Sequence, residues 1–231
     1  MYPRGWPGRL STDGVTATRR IDEHREAVCV VCRRLYERGL IAGQDGNVSV
    51  RVSDDSLLIT PAGVSKVDVR PEDLVELGLD GSVRNGTRRP SSEVGVHLRA
   101  YQRRHDVQAV VHAHPPVATA FAVAGVPLDG AALAELRVGV GPVPLVSYAT
   151  PGTADVADAF DQFWLAHDAF LMAHHGALTV GRSLNDAHQR MESLEHGARI
   201  MWAARALCDV PSLPAAALAV LDAQRAATRD R

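Results

Sequence analysis

Cysteine is scarce. Cys29, Cys32 and Cys208 are the only three in the chain, which excludes a disulfide-stapled scaffold and suits a reducing compartment. Two of them have CxxC spacing, but they fall inside "EAVCVVCRRLYERG", where apolar residues recur at helical intervals. With no second cysteine pair, they read as packed thiols rather than a zinc knuckle. No apolar run reaches the ~18 residues of a membrane span. The opening "MYPRGWPGRLSTDG" lacks the apolar stretch of a signal peptide, so a cytoplasmic protein is expected. An excess of one charge is missing too. With 25 basic and 27 acidic residues, a formal net charge of -2 and a pI near 6.5, nothing marks a nucleic-acid partner, and none is expected. Neither G-x-G-x-x-G after a strand nor G-x-x-x-x-G-K-[ST] occurs, so dinucleotide and nucleoside triphosphate readings lose their footing.

What is present is an ordinary globular balance, 46% apolar and 23% charged, in 231 residues, enough for one domain with a substantial core. Residues 1–20 read as a loose arm, 21–210 as the folded body and 211–231 as a helical tail whose charged end frays. The spacing predicts a helix from Asp22 to Arg38 and a hairpin, "NVSVRV" into "SLLIT". A helix opening at "PSSEVGVHLRAYQRR" follows, then the strand "VQAVVHAH", a short helix after Pro115 and Pro116, and a strand within "VPLVSY". "ADVADAFDQFWLAH" reads as a helix, and "AFLMAHHGALTVG" as a buried strand broken by a turn. A long helix is capped by Ser183, with Asp186 three residues on. Helices mingle with strands that are partly in hairpins, so the fold class is mixed α/β rather than a run of βαβ units.

The chemistry concentrates in histidines. His112 and His114 are two residues apart at the end of an apolar strand, so their side chains share a face and can meet one small ion. As core residues, each ring in a dry site would need its own partner, and neither could charge cheaply. A tight zinc site needs a third protein ligand. "LMAHHGAL" offers His174 and His175, which point oppositely on an extended chain; Gly176, able to turn the backbone, favours His175. His24, His97, His105, His167, His188 and His196 sit in helical or loop patterns and read as surface or packing residues. Glu93 lies at a helix start, where an anion is favoured. It is either a helix cap or, beside a metal, a fourth ligand or a base. Manganese or cobalt would also suit three histidines and a carboxylate.

Three turns suit an oxyanion: Asn47 in "GQDGNVSV", Ala62 and Gly63 in "TPAGVSK", and Ser91 and Ser92 before Glu93. With a metal nearby they point to a phosphorylated metabolite whose hydroxy-carbonyl end meets the ion. Such an ion polarises a carbonyl and stabilises an enediolate, a chemistry shared by retro-aldol cleavage, proton transfer, dehydration and loss of CO2.

"GNVSVR", "LLITPAG", "RPSSEVGVHLRAYQ", "AVVHAHPPVATA", "VPLVSYATPGT" and "FLMAHHGALTVG" stand in the order found in the class II aldolase/adducin family. From about Asp22 to Cys208 the chain resembles its L-fuculose-1-phosphate and L-ribulose-5-phosphate type members. The resemblance implies three layers, a central, largely antiparallel sheet with helices on both faces, and a homotetramer with sites near subunit contacts. It implies zinc on His112, His114 and His175, Glu93 as an acid-base group able to touch the metal, and phosphate held by Asn47, Gly63, Ser91 and Ser92. Ala62 stands where the fuculose-phosphate enzymes carry threonine, losing a hydroxyl but keeping a backbone N–H. The implied reaction is cleavage of a ketose 1-phosphate into dihydroxyacetone phosphate and an aldehyde. The adducin heads without activity lack the metal histidines. One departure matters: the loop "GVPLDGAALAELRVGVG" has Leu133 near the place of a tyrosine that acts on the aldehyde side. Tyr148 matches a tyrosine expected to be structural, and none follows Leu207. A decarboxylase, dehydratase or epimerase of a related sugar phosphate or hydroxy acid is the alternative.

Overall fold

The computed structural model describes residues 12–229. Helix α1 (Thr12–Glu37) leads into the hairpin β1 (Asn47–Ser53) and β2 (Ser56–Ile59), then β3 (Val75–Gly78) and β4 (Val83–Asn85). After α2 (Val94–Arg103) come β5 (Ala109–Ala113), α3 (Pro116–Val123), α4 (Ala134–Gly139), β6 (Leu145–Val146) and α5 (Ala154–Ala159). The hairpin β7 (Ala169–Met172) and β8 (Gly176–Gly181) precedes α6 (Leu184–Leu207) and α7 (Ala215–Arg229). Among the described residues the strands form one sheet in the order β4-β3-β2-β1-β5-β8-β7-β6, antiparallel except where β6 pairs with β7. This is the mixed α/β, largely antiparallel architecture expected.

Period-two alternation sorts the strands into two cores. Val48, Val50, Leu58, Val111 and Leu171 face one layer with α1, α3 and α6; Leu57, Ile59, Val110, Phe170 and Leu178 face the other with α2 and α5. Full burial of each such side chain contributes about 1.5–3 kcal/mol. The same parity decides where polar residues point. Asn47, Ser49 and His112 fall on the α2 side, and Asn47 is directly opposite His112 in the β1–β5 ladder.

Some expectations are corrected. Residues 12–20 belong to the first turns of α1 rather than to an arm; 1–11 lie outside the described residues. The helix expected through "ADVADAFDQFWLAH" stops at Ala159, and tighter turns follow, closed by bonds such as Phe163 N–H to Phe160 O (2.8 Å). Those turns let Phe160 and Trp164 stack at 5.0 Å and both meet Phe170 edge-on. Only Leu145 and Val146 of "VPLVSY" are in a strand. The tail is helical over α7 and is tied to the body: Arg137 grips Asp222 through both carboxylate oxygens, and Arg225 reaches buried Asp168 at 2.6 Å. No helix of the described residues is long and apolar enough to cross a membrane.

Candidate metal centre and active site

Three elements bring the expected histidines together. His112 is the penultimate residue of β5, His114 lies just past its end, and His175 sits in the β7–β8 turn; each offers a ring nitrogen, and the three nitrogens lie within 4.8 Å of one another. The orientation of two rings is fixed from behind. His112 Nδ1 donates to the Ala177 carbonyl at 2.9 Å, and His114 Nδ1 lies 3.3 Å from Asp45 Oδ2. Both Nε2 atoms therefore carry lone pairs inward, and they face each other at 3.2 Å. Two lone pairs that close repel unless a cation lies between them, and outward N–H anchoring is how metal-bound imidazoles are held.

The loop geometry differs from expectation in one respect. The left-handed residue is His174 (φ 57), not Gly176. This flip turns His174 to solvent and His175 inward. Gly176 is required for a different reason: a Cβ there would stand 2.6 Å from the Ala113 carbonyl and 2.6 Å from His114 Cδ2.

Glu93 occupies the N-cap position of α2 but caps nothing with its side chain. It turns to the imidazoles, with Oε2 3.2 Å from His112 Nε2 and Oε1 3.1 Å from His175 Nε2. Oε1 is buried, and its approach to His175 lacks the angle of a hydrogen bond. Burial opposes ionisation of Glu93, but His112, His175 and the Asn47 amide outweigh it and hold the carboxyl well below the usual carboxylate range. Burial and then the nearby His112 depress His175 to about 4, which keeps it a neutral ligand. Three imidazole nitrogens and one carboxylate oxygen without a hydrogen bond fit a divalent cation, which would take the place of the proton that Glu93 draws onto His112.

Of the residues expected to hold an anion, Asn47 and Ser91 contact Glu93. Asn47 Nδ2 donates to Glu93 Oε2 at 2.8 Å. The loop carrying Ala62 and Gly63 pairs with the segment before α2, through Ser91 N–H to Thr60 O (3.2 Å) and Ala62 N–H to Arg89 O (3.0 Å). The Ala62 amide thus donates within the loop; Gly63, exposed with φ +73, is the next turn position. Ser91 is buried and its Oγ accepts from the Glu93 amide at 3.3 Å, while Ser92 is exposed. Tyr148, expected to be structural, is 58% exposed, its ring 6.3 Å from that of His174.

Three residues were not singled out by the sequence. Asp45 backs His114. Lys66 is buried and ties two loops together, donating to Gln44 O (2.9 Å) and Val64 O (3.0 Å). His97, read as a surface or packing residue, is wholly buried behind Asn47, its Nε2 2.5 Å from Asn47 Oδ1. One signal could have found it: His97 is four residues after Glu93, on the same helix face.

Known proteins resemble this chain in sequence and in fold. The profile described as "Class II Aldolase and Adducin N-terminal domain" matches residues 26–202. A 5-deoxy-D-ribulose 1-phosphate aldolase of Bacillus thuringiensis serovar kurstaki is 33% identical over 84% of this chain and 91% of its own. A 3-oxo-tetronate 4-phosphate decarboxylase of Escherichia coli is 33% identical over 77% of this chain and 85% of its own. The solved structure of an L-fuculose 1-phosphate aldolase superposes with a TM-score of 0.82 at 30% identity, covering 87% of this chain and 94% of that one. The chain belongs to the class II aldolase and adducin N-terminal domain family.

Proposed function

We propose that this protein is a zinc-dependent aldolase that cleaves a ketose 1-phosphate into dihydroxyacetone phosphate and an aldehyde. The observation that carries the reading is the convergence of His112, His114 and His175 on a point that Glu93 also reaches. A divalent cation held there would polarise the substrate carbonyl and steady the negative charge left on carbon. Glu93 moves the proton: the bond between carbons 3 and 4 breaks, its electron pair stays on carbon 3, and one proton passes from the carbon-4 hydroxyl to carbon 3. Asn47 holds that carboxylate in place and, with Gly63, Ser91 and Ser92, offers donors to the phosphate. Ketose 1-phosphates are named for two of the relatives, which favours this substrate class. The reading includes a homotetramer, for whose contacts the exposed Leu165, Trp202 and Leu207 offer apolar surface.

A second reading rests on Leu133. An apolar residue in place of an aldehyde-side tyrosine suits decarboxylation, because CO2 leaves from a carboxylate that has no hydroxyl proton to give up. The experiment is a paired assay of the zinc-loaded protein. Ketose 1-phosphates, 5-deoxyribulose 1-phosphate among them, are tested for dihydroxyacetone phosphate, and 3-oxo acid phosphates for CO2. Dihydroxyacetone phosphate supports the aldolase, CO2 alone supports the decarboxylase, and neither product contradicts both.

A further inference from the structure

Behind Glu93 runs a file of four buried polar side chains. Asn47 Nδ2 reaches Glu93 Oε2 at 2.8 Å, His97 Nε2 reaches Asn47 Oδ1 at 2.5 Å, Ser49 Oγ is 2.6 Å from His97 Nδ1, and Tyr101 Oη is 2.8 Å from Ser49 Oγ. His97, Ser49 and Tyr101 are fully buried and Asn47 is 3% exposed, so water does not compete for these bonds. The directions follow from chemistry. The ionised Glu93 can only accept, so Asn47 must present its NH2 there and its carbonyl to His97. His97 must then donate from Nε2, its bare Nδ1 must accept from the Ser49 hydroxyl, and that oxygen must accept from Tyr101. Every donor points toward Glu93. Burial, and next the neighbouring His112, push His97 down to about 3, so its ring carries a single hydrogen and the file cannot reverse.

We propose that His97 is a positioning residue: as the Nε2–H tautomer, braced by Ser49 and Tyr101, it sets which way the Asn47 amide faces and thereby holds the Glu93 carboxylate in its working orientation. An Asn amide rotated by half a turn would set its carbonyl against a carboxylate oxygen and release Glu93. The inference rests on Glu93 being the proton carrier of the aldolase reading, yet it concerns an orientation that exists without substrate.

Two measurements test it. Nitrogen NMR of histidine-labelled, metal-free protein is expected to show His97 as the Nε2–H tautomer with Nδ1 bare; an Nδ1–H tautomer or a doubly protonated ring overturns the proposal, whatever the enzyme's activity. In the metal-loaded enzyme, at matched metal content, His97→Leu is expected to lower kcat about 10–100-fold, the range typical for partners behind a metal-site residue. His97→Gln, whose amide can donate from the same place, is expected to recover most of that loss. In an Asn47→Ala background the Leu substitution should cost little more, roughly threefold at most, because the two act as one unit. Full additivity of the two losses, or failure of Gln to rescue a folded protein, overturns it. Absence of aldolase turnover in the unaltered chain would defeat the functional reading and leave the NMR result to decide this one.

Discussion

Asn47 and His112 stand opposite each other across β1 and β5, and both reach one oxygen of Glu93: Oε2 is 2.8 Å from Asn47 Nδ2 and 3.2 Å from His112 Nε2. The carboxylate oxygen is thus shared between an amide and an imidazole. Glu93→Gln keeps the size and removes the proton carrier. Bound zinc, held by three imidazoles, is expected to stay near one per chain while kcat falls about 10²–10⁴-fold. Unchanged turnover at equal metal content would rule out Glu93 as the base.

Ser91 and Ser92 sit at the entry to α2, next to the loop that carries Gly63. Replacing both with alanine removes two hydroxyl donors from a phosphate, and hydrogen bonds to charged groups are worth about 1.5–3 kcal/mol each. The KM for a phosphorylated substrate is expected to rise by at least about tenfold while zinc content holds. An unchanged KM contradicts the assignment.

Gly176 has no room for a side chain. Gly176→Ala forces a methyl against the Ala113 carbonyl and the His114 ring, each at 2.6 Å. The expected cost is about 1–3 kcal/mol of stability, read as a lower Tm, together with weaker zinc binding because His114 must move. Wild-type Tm and zinc affinity would contradict this account of the turn.

His97 makes the fold acid-sensitive in a stated direction. Its folded pKa, about 3, lies below its ordinary 6.5, so the unfolded chain takes up the proton first. The stability it preserves is complete above 6.5 and is lost as pH falls from there toward 3, by roughly 1.4 kcal/mol per unit at the limit. Metal-free wild type should therefore lose Tm between pH 7 and pH 5 more steeply than His97→Gln, which cannot titrate. Equal slopes contradict a neutral, buried His97.

The period of the strands made much of this site legible. Alternation alone put His112 and His114 on one face, whereas the register that sets Asn47 opposite His112 exists only once β1 pairs with β5. The turn brings His175 rather than His174 toward His112 and His114, and the left-handed residue that does so is His174 itself. His97 escaped because a histidine in a polar helix looks ordinary until the helix is docked; burial is a tertiary fact. The same holds for Arg225, whose partner Asp168 is 57 residues away. Likewise α5 ends early because Phe160 and Trp164 find Phe170 across the layer, a packing choice that no local pattern carries.

The most direct measurement is elemental analysis of the purified, folded chain, followed by chelation. The account predicts close to one divalent ion per chain, chiefly zinc, with turnover lost on chelation and restored when zinc is returned. A folded chain without any such ion that still turns over substrate would contradict it.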